Sequence, residues 1–198
     1  MKNVQSRFGF TLVEVLVVIS IISILTSVLY VNFNAARENS RDQVRKTDLK
    51  QLQLAIELYK AQNGSYPDSC GGGAGNTFYG PGPAAGAGPN QAPGVSGNYA
   101  LCSTDDWIVG LVPEFIAELP SDPTSELDGG RGFYYRSNGD SYKILVKDSV
   151  ERNFITSYQQ EFARCPRLTG ANFCNSTSDL ANGSDDTYAI YSFGAEDW

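Results

Sequence analysis

A chain of 198 residues with a net charge of −7 is long enough for one modest core, and a surface that acidic does not collect phosphate backbones, so bulk nucleic-acid binding is not expected. The absence of His removes Ser-His-Asp and Cys-His catalysis and most zinc chemistry at once. Acids such as Asp105, Asp106, Glu114 and Glu118 are candidates for two-carboxylate chemistry by type alone; nothing in their spacing sets them across a cleft, and no enzymatic activity is expected.

The chain opens on a basic stretch with Lys2 and Arg7, then Phe8-Gly9-Phe10-Thr11-Leu12-Val13-Glu14, after which no charge appears until Arg37. Between residues 10 and 30 the polar residues are Thr11, Glu14, Ser20, Ser23, Thr26 and Ser27. A helix of that length rises about 30 Å, enough to cross the hydrocarbon core of a bilayer. Glu14 is its one charged group. A carboxylate inside such a segment costs on the order of 3 kcal/mol or more, so it is retained where it has a partner. Snorkelling to the near interface is the simpler alternative, because Glu14 sits close to the start of the apolar run.

A helical pattern continues past residue 30 to Leu49, Leu52, Ile56 and Tyr59, one face of an amphipathic helix, with Leu54 and Leu58 expected to widen the stripe. No Pro falls before Pro67, and Asn63-Gly64 supplies a stop, so one helix is predicted from about Thr11 to Gln62. Arg37, Arg41 and Arg45 recur every fourth residue, and Asp42 with Lys46 has the spacing of a favourable pair. Such a run is read as a solvated face, with anionic head groups or acidic surfaces of adjacent subunits as the alternative contacts.

Residues 71–97 are largely Gly, Ala, Pro and Asn and are predicted to form a long Gly-rich loop without a core. Four cysteines beyond the apolar segment, Cys70, Cys102, Cys165 and Cys174, lack zinc-site spacing and point to disulfides in an exported domain. Of the three pairings that four cysteines allow, Cys70 with Cys102 and Cys165 with Cys174 is expected, because each closes its own local loop. Residues 107–123 read as a turn of helix and an extended connector between prolines. Strands follow at 132–136 and 141–146, joined by Ser137-Asn138-Gly139-Asp140, and a last one at 187–193. About three antiparallel strands on one helix make an α+β fold.

The order of basic stretch, Gly, Phe, apolar turn and Glu resembles the class III leader of type IV prepilins and secretion pseudopilins. The Asn63-Gly64-Ser65-Tyr66-Pro67 turn, the run Leu119-Pro120-Ser121-Asp122-Pro123 and the Tyr-rich hairpin resemble the head of the same family, including the major pseudopilin of type II secretion. The resemblance implies a ladle-shaped fold in four parts: a leader (1–9), a transmembrane and filament-core helix (10–30), an amphipathic second half (31–62) and a globular head (63–198). It implies cleavage between Gly9 and Phe10 by a prepilin peptidase and N-methylation of Phe10. Loss of Lys2 and Arg7 with the leader would take the net charge from −7 to −9.

In a bundle of such helices Glu14 would meet the amino terminus of a neighbouring Phe10 and set the register. The implied function is a structural subunit of a type IV pilus-like filament; a pseudopilin of type II secretion is the first alternative. A minor, membrane-anchored or tip module holding a ligand through its Cys70–Cys102 loop is the other. Implied partners are further copies of the chain, the prepilin peptidase, an assembly ATPase with its platform protein, and the membrane. The implied location is a single pass through the inner or cytoplasmic membrane with the head outside the cytoplasm, then an extracellular or periplasmic filament. Pseudopilin heads also hold calcium in a C-terminal loop, for which Asp179, Asp185 and Asp186 are weak candidates and for which no EF-hand spacing is present. The helix-bending Pro that many pilins carry in the anchor half is missing here.

Overall fold

The structure is a computed structural model that describes residues 9–72, 77–81, 99–102, 106–124, 131–166 and 185–198, without the side chains of 28, 29, 31 and 32. It falls into two compact units, Met1–Glu38 and Asn39–Trp198.

Helix α1 runs Leu12–Asn63, 52 residues, within one residue of the predicted span at each end. It stops where the sequence provides a left-handed residue: Gly64, at φ 83°, donates its N–H to the Lys60 carbonyl at 2.8 Å. In the first unit the apolar side chains from Leu12 to Leu25 are exposed. The hydroxyls among them bond back onto their own helix: Ser20 to the Leu16 carbonyl, Ser23 to Ile19, Thr26 to Ile22 and Ser27 to Ile24, at 2.6–2.8 Å. That removes the desolvation cost of four polar groups. Among the described residues no helix is long and apolar enough to cross a membrane; the span expected from sequence runs on through positions 28 and 29, whose side chains lie outside them.

In the second unit α1 buries Leu49, Leu52, Ala55 and Ile56 at 0–3% exposure, each Leu or Ile contributing about 1.5–3 kcal/mol. Leu54 and Leu58 do not widen this stripe; they are 63% and 47% exposed. Two residues advance a helix by about 200°, so Leu54 points away from the face that Leu52 buries.

The sheet has five strands, β1 Phe78–Gly80, β2 Tyr99–Leu101, β3 Gly132–Ser137, β4 Tyr142–Lys147 and β5 Tyr188–Tyr191, in the order β2-β1-β3-β4-β5. This corrects the expectation of three antiparallel strands: β1 and β2 are parallel to each other, so the sheet is mixed. It also corrects the loop expected at 71–97, since Phe78 is fully buried within it and Tyr79 pairs with Tyr135. Glycine admits β1 at this place: a Cβ on Gly80 would stand 2.6 Å from the Phe133 carbonyl oxygen.

Alternation along β3 and β4 sends Phe133, Tyr135, Tyr142, Ile144 and Val146 to the core shared with α1, and Tyr134 and Leu145 to a second cluster with Phe78, Leu101 and Ala189. Both faces of the sheet are therefore covered. The hairpin turn is as predicted: Asn138 Oδ1 accepts from the N–H groups of Asp140 and Ser141, and Gly139 takes φ 85°. Cys70 and Cys102 form a disulfide that ties the middle of the α1–β1 connection to the residue after β2. Cys165 is disulfide-bonded, and Cys174 lies outside the described residues.

Candidate assembly site

Thr11 and Glu14 close the N-terminus of α1 reciprocally. The Thr11 N–H and hydroxyl donate to Glu14 Oε2 at 2.8 and 2.9 Å, and the Glu14 N–H donates to Thr11 Oγ1 at 3.2 Å. This is a capping box, and the Thr-x-x-Glu spacing that produces it was present in the sequence. Glu14 thus has a local partner in the single chain. Gly9 and Phe10 lie just outside the helix, Phe10 88% exposed, so the Gly9–Phe10 peptide is not locked in secondary structure.

Thirty residues on, the arginine run does something the sequence did not suggest. Arg45 is fully buried, and so is Asp42. The guanidinium donates to both oxygens of Asp122 at 2.8 and 3.0 Å, to Asp42 at 2.8 Å, to Glu151 at 2.9 Å and to the Thr124 hydroxyl at 2.7 Å. Arg41 pairs with Glu151 as well. Asp42 accepts three consecutive backbone N–H groups, Glu151 at 3.1 Å, Arg152 at 3.0 Å and Asn153 at 2.9 Å. Asp42 and Arg45 thereby clamp α1 to two distant connections, the Leu-Pro-Ser-Asp-Pro turn and residues 150–153.

Burial alone raises the Asp42 and Asp122 carboxyls; the amides around Asp42, and Arg45 with Thr124 around Asp122, outweigh it and hold both below the ordinary carboxylate range. The Arg41 and Arg45 hydrogen bonds lower Glu151 too. The solvated-face reading of Arg41 and Arg45 is corrected accordingly, as is the Asp42–Lys46 pair: Asp42 pairs with Arg45, and Lys46 stands over the Tyr188 ring, 4.8 Å from its centroid.

The remaining acidic candidates separate. Asp185 is buried with Arg164 Nε 2.7 Å from its Oδ2, accepts the Thr187 N–H on Oδ1, and exchanges backbone hydrogen bonds with Ile155. The Asp186 carbonyl accepts the N–H groups of Ser149 and Val150. These two residues seat the start of β5 against residues 149–155, and an arginine-paired carboxylate is a poor oxygen donor for calcium. Asp179 lies outside the described residues, and among those described no group of acids is arranged to hold a metal. Asp106 and Glu118 share the lip of a notch of about 350 Å³ with Trp107, Val112, Leu119 and Pro120; Glu114 is exposed, and Asp105 is outside the described residues.

The first unit thus presents an exposed, capped, apolar helix, and the second an α+β head with its own core. The profile of the prokaryotic N-terminal methylation motif matches residues 5–30. Over 67 residues the chain is 39% identical to the type II secretion system core protein G of Vibrio cholerae, covering 34% of this chain and 46% of that protein. Over 66 residues it is 45% identical to the type IV wide pilus major component of Thermus thermophilus, covering 33% of this chain and 48% of that one. Core protein G of Aeromonas hydrophila is 41% identical over 63 residues, 32% of this chain and 44% of the relative. The chain thus spans about half the length of the curated relatives it matches. No solved structure matches it. In its N-terminal motif and its first third the chain is thus similar to pilins and pseudopilins.

Proposed function

We propose that this chain is a structural subunit of a type IV pilus-like filament, cut between Gly9 and Phe10, methylated on Phe10 and assembled by packing its first helical segment against those of other copies. One observation carries the reading: Glu14 is the one charged residue between Phe10 and Arg37, on a helix whose apolar side chains from Leu12 to Leu25 are exposed and whose Ser and Thr hydroxyls from Ser20 to Ser27 bond back onto it. Such a helix moves from lipid into a bundle of like helices with little polar penalty, and a second charge, the new amino terminus of a neighbour, compensates Glu14 there. The membrane pass, the head outside the cytoplasm, the prepilin peptidase and the assembly ATPase with its platform belong to this proposal. So does pairing of Cys165 with Cys174, which suits an oxidising compartment.

A second reading, a pseudopilin of a type II secretion filament, is favoured by the matches to core protein G from several bacteria. Neither reading makes the chain an enzyme. Filaments sheared from cells and analysed by mass spectrometry test both: an abundant chain beginning at methylated Phe10 is expected of a pilus subunit. A Phe10 terminus confined to the envelope gives the pseudopilin, and an intact Met1 terminus overturns the filament reading.

A further inference from the structure

The charge of the head is unevenly placed. Residues 61–130 contain eight carboxylates and no Lys or Arg, so that segment's −8 exceeds the −7 of the whole chain. Asp122 is spent on Arg45, but Asp68, Asp106, Glu114 and Glu118 are exposed, the last two one helical turn apart in number and Glu118 beside Asp106 on the notch. Copies packed side by side would bring these acids together at a Coulombic cost, unless each acidic ridge meets a cation.

The head carries a receiver. A groove of about 540 Å³ is lined by Lys46, Thr47 and Lys50 of α1 on one side and by Phe154, Glu161 and Phe162 on the other. Phe162 is its fixed floor: 8% exposed, at φ 70°, with its carbonyl accepting the Ala189 N–H at 2.9 Å. Lys46 and Lys50 hold their ammonium groups 5.8 and 5.2 Å from the centre of that ring, which positions two cations without consuming their hydrogen-bond donors. Among the described residues that line the groove the one acid, Glu161, pairs with Lys50 at 2.8 Å where both are more than half exposed, a weak contact that an incoming carboxylate can replace. Phe154, 41% exposed, adds an apolar edge.

We propose that, in the filament, the acidic ridge of one copy, Asp106, Glu114 and Glu118, docks in the Lys46–Lys50 groove of a neighbouring copy. The contact joins two different patches of identical chains, which is the heterologous geometry an open helical assembly needs. This inference rests on the filament reading above, and its occupant is another copy because only a like chain is certain to be beside it at the concentration a filament creates.

Charge reversal tests it in cells making the full chain. Lys46→Glu with Lys50→Glu is expected to lower sheared filaments by about tenfold or more, since like charges then face each other, while the Phe10-processed subunit stays in the membrane with its Cys70–Cys102 disulfide intact. Adding Glu114→Lys and Glu118→Lys to the same chain is expected to restore filaments to within about threefold of the parent, the loss at one patch offsetting that at the other. Independently, Lys50→Cys with Glu118→Cys should give a ladder of disulfide-linked copies in sheared filaments. If the parent forms filaments but reversal changes nothing, or the second pair fails to restore them and no ladder forms, docking is overturned while the filament reading stands. Absence of parental filaments would overturn both.

Discussion

Arg45 shows how a single side chain can carry the junction between helix and head. Four acceptors from three parts of the chain converge on its guanidinium, and the side chains of Arg45, Asp42 and Asp122 are inaccessible to water. Replacing it with Met would retain the packing of the stem but strand two buried carboxylates. The expected cost is about 3–5 kcal/mol, the range for removing one partner of a buried pair, read as a lowered urea midpoint with unchanged slope. The same cluster gives the head an acid limit. Asp42, Asp122 and Glu151 all have folded-state values below their unfolded ones, so the stability they contribute is present at neutral pH and is lost as pH falls below the ordinary carboxylate range toward those depressed values. Urea midpoints should fall below about pH 4, and Arg45→Met should flatten that fall.

At the scale of elements, what was legible in the sequence was what periodicity writes locally. The helix, its Gly64 stop and the β3–β4 hairpin with its Asn138-Gly139 turn all follow from residues adjacent in the chain. Strands β1 and β2 have three residues each, too few to show alternation, and their pairing joins positions about twenty residues apart in register, Phe78 with Tyr99. The Arg45 clamp was illegible for the same reason, since Asp122 and Glu151 lie 77 and 106 residues away. The capping box, by contrast, is written locally, in the three-residue spacing of Thr11 and Glu14.

The disulfide matters most to these short strands. Cys70 and Cys102 are 32 residues apart and enclose β1 and β2, so opening the loop frees chain entropy worth about 3.7 kcal/mol in the closure model. Cys70→Ser with Cys102→Ser should therefore make residues 71–101 the first site of limited proteolysis, while cleavage within β3–β4 stays slow; uniform cleavage across the head would show that the two strands do not depend on the bridge.

For the whole molecule, the question is whether Glu14 serves its own helix or its neighbours, and the capping box supplies the control that separates the two. Removing a cap costs about 0.5–2 kcal/mol and frays the first turn. If that were all Glu14 did, Glu14→Gln would weaken assembly no more than Thr11→Val, because a Gln oxygen still accepts from Thr11 whereas Val removes the hydroxyl. A register role predicts asymmetry. Thr11→Val keeps the carboxylate and should leave filament yield within about threefold, whereas Glu14→Gln removes the negative charge that compensates a neighbour's amino terminus and should lower yield by at least tenfold, as expected where one partner of a desolvated charge pair is lost. Both variants should still be cut at Gly9–Phe10, so the quantity to measure is processed subunit in sheared filaments against processed subunit left in the membrane. Equal losses from the two would assign Glu14 to the cap, and the energy of assembly would then rest on apolar packing of the exposed Leu, Val and Ile side chains from Leu12 to Leu25 alone.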